Sequence, residues 1–171
     1  MKEQQKKYEL TGEFIEHWSG KKLYRIKALV SFGVVVAGQL GGFIESEKNL
    51  DQSLSGNAWV YGDARVYGDA RVYGNAWVYG DARVYGDARV RSHAVISEHK
   101  MIFWASNVGS ENGTLTVFNG RDGLIVTRGC FTGTVDEFLA KSAEVHDDKT
   151  KNEYKLLIEV AKSRILGVKD E

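Results

Sequence analysis

The chain contains no proline among its 171 residues. It has a single cysteine, Cys130, and its 23 Lys and Arg are balanced by 23 Asp and Glu. One cysteine excludes an internal disulfide framework and is compatible with a reducing cytoplasm. Cys130, within Gly129-Cys130-Phe131, is expected as a core thiol rather than a nucleophile. Zero net charge argues against a generally basic partner for duplex nucleic acid, although a local basic stripe can exist on a neutral protein. The longest apolar run, near Val34-Val35-Val36-Ala37, is far too short to span a bilayer. The segment Met1-Lys2-Glu3-Gln4-Gln5-Lys6-Lys7 has no apolar core behind its charges, so a signal peptide is not indicated.

What the chain does have is glycine at a fixed interval. Gly56, Gly62, Gly68, Gly74, Gly80 and Gly86 lie six residues apart, in units of Gly-Asp/Asn-Ala-X-Val-Tyr. A longer period is nested on this one. Residues 56–73 and 74–91 are identical except at Tyr73 and Arg91. Three hexads per 18 residues predict a triangular parallel β-helix with one short strand per face.

Alternation sends Ala58 and Val60 to one side and Trp59 and Tyr61 to the other. Ala and Val suit a narrow interior. The Gly-Asp or Gly-Asn pair suits a corner, because these residues tolerate positive φ. The lack of proline fits a backbone whose N–H groups pair between coils. Coils about 4.8 Å apart align equivalent residues. Trp59 is then stacked with Trp77, Arg65 with Arg83, Arg71 with Arg89, and Asn57 with Asn75. Upstream, Leu54 fits a Val slot; downstream, Ala94-Val95-Ile96 fits well and Lys100-Met101-Ile102 half fits. A stack this short needs caps.

The flanks supply candidates. Phe14–Trp18 and Leu23–Leu29 alternate around Ser19–Lys22 and read as a β-hairpin. Residues 33–50, with Gly38, Gly41 and Gly42, read as the rest of a lower cap. Residues 101–131 are strand-like, with a second hairpin over Thr114–Thr127. Thr134 followed by Glu137 is a capping box, and helices follow over 135–145 and 151–166. Phe138, Leu139, Leu156, Leu157, Val160, Ala161 and Leu166 form their expected apolar faces. The organisation is therefore 1–50, N-terminal β cap; 51–103, hexad column; 104–171, C-terminal β-hairpin and helical pair.

The hexads resemble the hexapeptide-repeat superfamily of left-handed β-helices. That resemblance implies the hand; the spacing does not. The segments YRIKAL (24–29), GQLGGFIESEKNL (38–50), GNAWVYGDARVYG (56–68) and GCFTGTVDEF (129–138) resemble, in the same order, a set of small phage and prophage proteins. This implies a location in the cytoplasm, the host's if the chain is phage-encoded. The fold class is mainly β: a short left-handed parallel β-helix with an N-terminal β-hairpin cap and a C-terminal β-hairpin plus two α-helices.

Many left-handed β-helices transfer acyl groups from acyl-CoA, which usually takes a histidine base. The alternative catalytic residues are His93 and His99. His93 occupies an Asp/Asn slot of the degenerate coil and His99 the next one, which makes both ordinary corner residues as well. No His-x₄-His pair supports a zinc site, and there is no phosphate-binding glycine loop. No metal or cofactor is expected. The outward Trp, Arg and Tyr slots lack the ranks of threonine that ice binding uses.

Those outward slots hold the binding candidates: Trp59, Trp77, Tyr61, Tyr79, Arg65, Arg71, Arg83, Arg89 and Arg91. Arginine and aromatic rings together suit phosphate and base recognition, and equally a protein interface. A plain solvated ladder, with Asp63, Asp69, Asp81 and Asp87 diagonal to the arginines, is the simpler reading. Two stacked, exposed indoles form a strip that self-association or the caps would cover. The expected function is non-enzymatic binding in a homo-oligomer. A phage setting implies countering a host defence, by sequestering a nucleotide signal or docking on a host protein. The alternatives are the acyltransferase and a purely structural oligomerisation module.

Overall fold

The computed structural model describes residues 5–167. Residues 1–4, the first part of the charged N-terminal segment, lie outside the described residues, as do 168–171.

The hexads form two-residue strands: β4 (Trp59–Val60), β5 (Arg65–Val66), β6 (Arg71–Val72), β7 (Trp77–Val78), β8 (Arg83–Val84), β9 (Arg89–Val90) and β10 (Val95–Ile96). These follow the strands β1 (Tyr8–Glu16), β2 (Lys22–Ala28) and β3 (Leu40–Ile44). Parallel ladders join β4 to β7 and β10, β3 to β5 and β8, and β6 to β9. Partners are 18 residues apart within the repeat, as in Trp59↔Trp77, Arg65↔Arg83 and Arg71↔Arg89. The expected interior is present. Ala58, Val60, Ala64, Val66, Ala70 and Val72 are buried, and so are their counterparts one coil on.

Corner geometry follows the glycines with one exception. Gly62, Gly68, Gly74, Gly80 and Gly86 have φ between 59° and 68°. Gly56 does not share that conformation. It is glycine because a Cβ there would lie 2.3 Å from the Gly74 carbonyl oxygen. The series continues at Ser92, which takes φ of 62° without being glycine.

The column starts earlier than residue 51. Phe43↔Arg65 and Ile44↔Val66 pair in parallel, and Leu50 bridges Val72. These partners are 22 apart (65 − 43 and 72 − 50), four more than the repeat. The extra residues bulge as a loop after Leu50. Leu54 therefore does not fill the Val slot: it is 50% exposed, and the buried Leu50 takes the place instead.

The lower cap is continuous with the column, since one sheet runs β1-β2-β3-β5-β8. The first coil presents carbonyls downward, and donors meet them. Lys7 Nζ donates to the Ala58 and Gly56 oxygens at 2.8 and 3.2 Å. Asn49 Nδ2 donates to the Ala70 and Gly68 oxygens at 2.9 and 3.1 Å. Backbone N–H groups of Phe43, Glu45 and Asp51 donate to the carbonyls of Ala64, Val66 and Val72. Leaving such acceptors unpaired and buried would cost about 1–3 kcal/mol each.

The upper cap has four strands rather than two. They are β11 (Ile102–Val108), β12 (Gly113–Gly120), β13 (Gly123–Arg128) and β14 (Phe131–Thr134), in an antiparallel meander. Thr116 Oγ1 accepts from Arg89 N–H, and Thr127 Oγ1 donates to the Arg89 carbonyl, so this sheet closes the β6–β9 ladder. Helix α1 (Val135–Val145) begins at the expected capping box, with Glu137 N–H bonded to Thr134 Oγ1 at 3.1 Å. Helix α2 (Asp148–Leu166) begins three residues before 151, because Asp147 accepts from Thr150 N–H and caps it there. Its buried face is Tyr154, Ile158, Ala161 and Ile165, against Leu115, Val117 and Val126. Leu156, Val160 and Leu166 are instead more than half exposed. Of the expected stripe on this helix, Ala161 lies on the buried face, which otherwise runs through Tyr154, Ile158 and Ile165. Cys130 is exposed at the β13–β14 turn, not a core thiol, because that turn projects from the sheet.

Candidate functional site

The outward slots of the two repeats are chemically alike, but the caps treat them differently. Trp59 is 2% exposed, enclosed by Phe32 at 5.3 Å and Tyr8 at 6.3 Å between ring centroids. Of the two expected ways to cover the indole strip, the caps act on one residue: the lower cap covers Trp59, and Trp77 is left partly exposed. Tyr61 and Tyr79 stack beside them, 4.8 Å apart and 5° from parallel.

The arginines do not form a ladder with diagonal carboxylates. Arg83 Nη1 donates to the backbone oxygens of Asp81 and Asp63 at 3.0 and 3.3 Å. Arg89 repeats the arrangement with Asp69 and Asp87 at 2.8 and 3.1 Å. Corner carbonyls lie nearer to the guanidinium than the outward-turned carboxylates do. Among the described residues, the one corner acid in an ion pair is Asp69, with Lys48 at 2.9 Å. That contact holds the Asp69 carboxyl below its ordinary value.

Arg91 is committed to structure. It donates to the Gly129 and Phe131 carbonyls at 2.9 and 2.5 Å, and also to Thr132 Oγ1 and Tyr73 Oη. It holds the upper cap against the column and is withdrawn from the ligand candidates.

Arg71 and Arg89 face a cavity of about 450 Å³ that also contains Glu47, Lys48 and Asp51. Acid and base are nearly matched there. The other arginine pair is not so balanced. Arg65 and Arg83 line a groove of about 420 Å³ with Glu16, His17, Trp18, Tyr67, Tyr85 and His99. An adjoining cavity of about 200 Å³ shares Arg83, Tyr85 and His99 and adds Trp104 and Arg164. Three guanidinium groups thus face one carboxylate. Arg65 Nε is buried without a hydrogen-bond partner among the described residues. Burial first, and the Arg65 charge second, hold the Arg83 guanidinium below its usual value.

Aromatic rings run along the same face. His17 lies 4.7 Å from Tyr67, Tyr67 stacks on Tyr85 at 5.0 Å and 6°, and Trp104 meets Tyr85 edge-on at 4.7 Å. Trp18, at the β1–β2 tip, is 91% exposed beside His17. Sequence reasoning placed Arg65, Arg83 and His99 among the candidates and missed His17, Trp18, Trp104 and Arg164. Those residues come from the caps, and no period connects them to the hexads.

His93 and His99 are not brought together. His99 opens a 3-10 turn beside Arg83. His93 lines a different cavity, with Trp77 and Arg121. Among the described residues, no three or more His, Cys, Asp or Glu form a group that could hold a metal ion. No helix of the described residues is long and apolar enough to cross a membrane.

Residues 64–80 match a family model described as YdcK Beta solenoid repeat. The matched stretch runs from Ala64 of the first coil to Gly80 of the second. It shows a β-solenoid repeat, in agreement with the parallel ladders. No curated protein matches the chain.

Proposed function

We propose that this chain is a non-enzymatic binding protein whose ligand is a nucleotide-type anion, held in the groove of Arg65, Arg83, His17 and His99. The observation that carries this reading is the pair of stacked arginines without a carboxylate partner among the described residues, flanked by an aromatic row. Guanidinium groups one strand spacing apart, about 4.8 Å, suit the oxygens of a phosphate or pyrophosphate. Exposed Trp18 and half-exposed Tyr85 offer faces for a base.

In this reading the three ladders wind as a left-handed triangular coil, supported by the hexad resemblance. The chain acts as a homo-oligomer in the cytoplasm. In a phage setting its role is to sequester a nucleotide signal of a host defence. Docking on a host protein through the same groove is the competing version.

Titration calorimetry with cyclic and ADP-ribose-type nucleotides tests the proposal. Saturable heat is expected, weakened at least about tenfold by Arg65→Gln or Arg83→Gln, and weakened by added salt. No heat with any of them removes the nucleotide reading and leaves protein docking.

A further inference from the structure

The repeat carries a difference that the arginine groove does not use. Corners preceding an arginine strand are Asp63, Asp69, Asp81 and Asp87. Corners preceding a tryptophan strand are Asn57 and Asn75. Charge repulsion between stacked corners does not explain the change, because Asp63 stacks with Asp81 and Asp69 with Asp87 in the same way. Nor does the local hydrogen bond. Asn75 Oδ1 accepts from Asn57 N–H at 3.2 Å, and an aspartate oxygen would do the same.

What distinguishes this corner is its cavity. A space of about 450 Å³ is lined by Phe32, Val35, Asn57, Asn75, Trp77, His93 and Arg121, among others. The lower cap contributes Phe32–Val35, the column contributes the asparagines, Trp77 and His93, and the β12–β13 turn contributes Arg121. Both caps and the column meet here. Among the described residues, no carboxylate lines the cavity. Asn75 accepts through Oδ1, which leaves its amide N–H groups to donate. Arg121 has its Nε 3.3 Å from Asp122, which leaves its two Nη groups. Its backbone N–H holds the His93 carbonyl at 2.9 Å, which fixes the turn over this corner. Trp77, Phe32 and Val35 supply apolar walls.

We propose that this corner is a second binding site, for a planar aromatic carboxylate: the ring lies against Trp77 and the carboxylate meets Arg121 and the Asn75 amide. One guanidinium partly engaged by Asp122 suits a single negative charge. A phosphate's two charges suit the three arginines of the other groove better. The site depends on replacing the repeat's aspartate by asparagine, since a carboxylate at this corner would face the ligand's own.

The repeat supplies its own control for folding. Asp occupies the equivalent slot four times, so Asn75→Asp is compatible with the column. Ligand-observed NMR with 2-naphthoate, and with 2-naphthamide as the uncharged control, reads binding without relying on the four tryptophans. Saturable binding of 2-naphthoate is expected, at least about tenfold stronger than that of the amide. Asn75→Asp and Arg121→Ala should each weaken it at least about tenfold, and Trp77→Leu should weaken it also. Arg83→Gln should leave it unchanged, which separates this site from the nucleotide groove. No saturable 2-naphthoate signal, equal binding by folded Asn75→Asp protein, or loss of binding on Arg83→Gln would each overturn the proposal.

Discussion

Residues 56–73 and 74–91 differ at one position, yet they live in different surroundings. Their interiors are the same: Ala58 and Ala76, Val60 and Val78, Ala64 and Ala82 are all buried. Their exteriors are not. Trp59 is enclosed by Tyr8 and Phe32, whereas Trp77 borders an open cavity. Arg71 is exposed, whereas the backbone of Arg89 is clasped by Thr116 and Thr127. The single difference is itself a contact, because Arg91 lies over the Tyr73 ring and donates to its hydroxyl. A repeat dictates what faces inward, and its neighbours decide what each outward residue becomes.

The largest test of that asymmetry is tryptophan truncation. Trp59→Ala removes a fully enclosed indole and should cost about 3–5 kcal/mol. Trp77→Ala removes the same side chain from a half-open surface and should cost about 1 kcal/mol. Urea unfolding of the two variants gives the comparison directly. Equal losses would mean that the caps do not differentiate the coils.

The same contrast explains what was legible in the sequence. The hexads dictate their own strands, because Ala and Val have one place to go and the corner glycines fix the turns. The capping box at Thr134 and Glu137 is equally local, and α1 starts where it predicts. The column's lower start was hidden by a four-residue loop. Before that loop, Leu50 rather than Leu54 aligns with Val72. The arginine groove was half legible. Arg65 and Arg83 follow from the period, but His17 and Trp104 reach it through folded hairpins, and no spacing in the chain reports that approach.

The next effect concerns the one position where the repeats differ. Arg91→Tyr makes the second repeat identical to the first. It removes the guanidinium that binds the Gly129 and Phe131 carbonyls, leaving a docked turn without its donor. A loss of about 2 kcal/mol is expected, with faster hydrogen exchange confined to β13 and β14. Tyr73→Phe, which deletes only the hydroxyl partner, should cost less. Exchange that accelerates evenly over both coils would show that Arg91 supports the column and not the cap.

The smallest effect is read in pH and falls on the first coil alone. Lys7 is buried beneath it, donating to the Gly56 and Ala58 carbonyls and lying 4.3 Å from the Phe32 ring centre. Burial lowers its amine from an ordinary 10.5 to about 8, against a smaller opposing pull from Asp51. Below pH 8 both folded and unfolded chains hold the proton, and folding carries the full cost of burying it. Between about 8 and 10.5 the folded chain has released the proton while the unfolded chain keeps it, so stability rises with pH in that window. Tyr8 acts in the opposite sense: burial raises its phenol above the ordinary 10.0, so stability falls once unfolded tyrosine ionises above that pH. The unmutated protein should therefore gain stability from pH 8 toward 10 and lose it beyond. Lys7→Met should abolish the rise and keep the fall, while costing about 1–2 kcal/mol net at pH 7, because the two carbonyls left without their donor are partly offset by no longer burying an ammonium. A rise that survives in Lys7→Met would assign the titration to another group and remove the buried ammonium as the clasp of the lower coil.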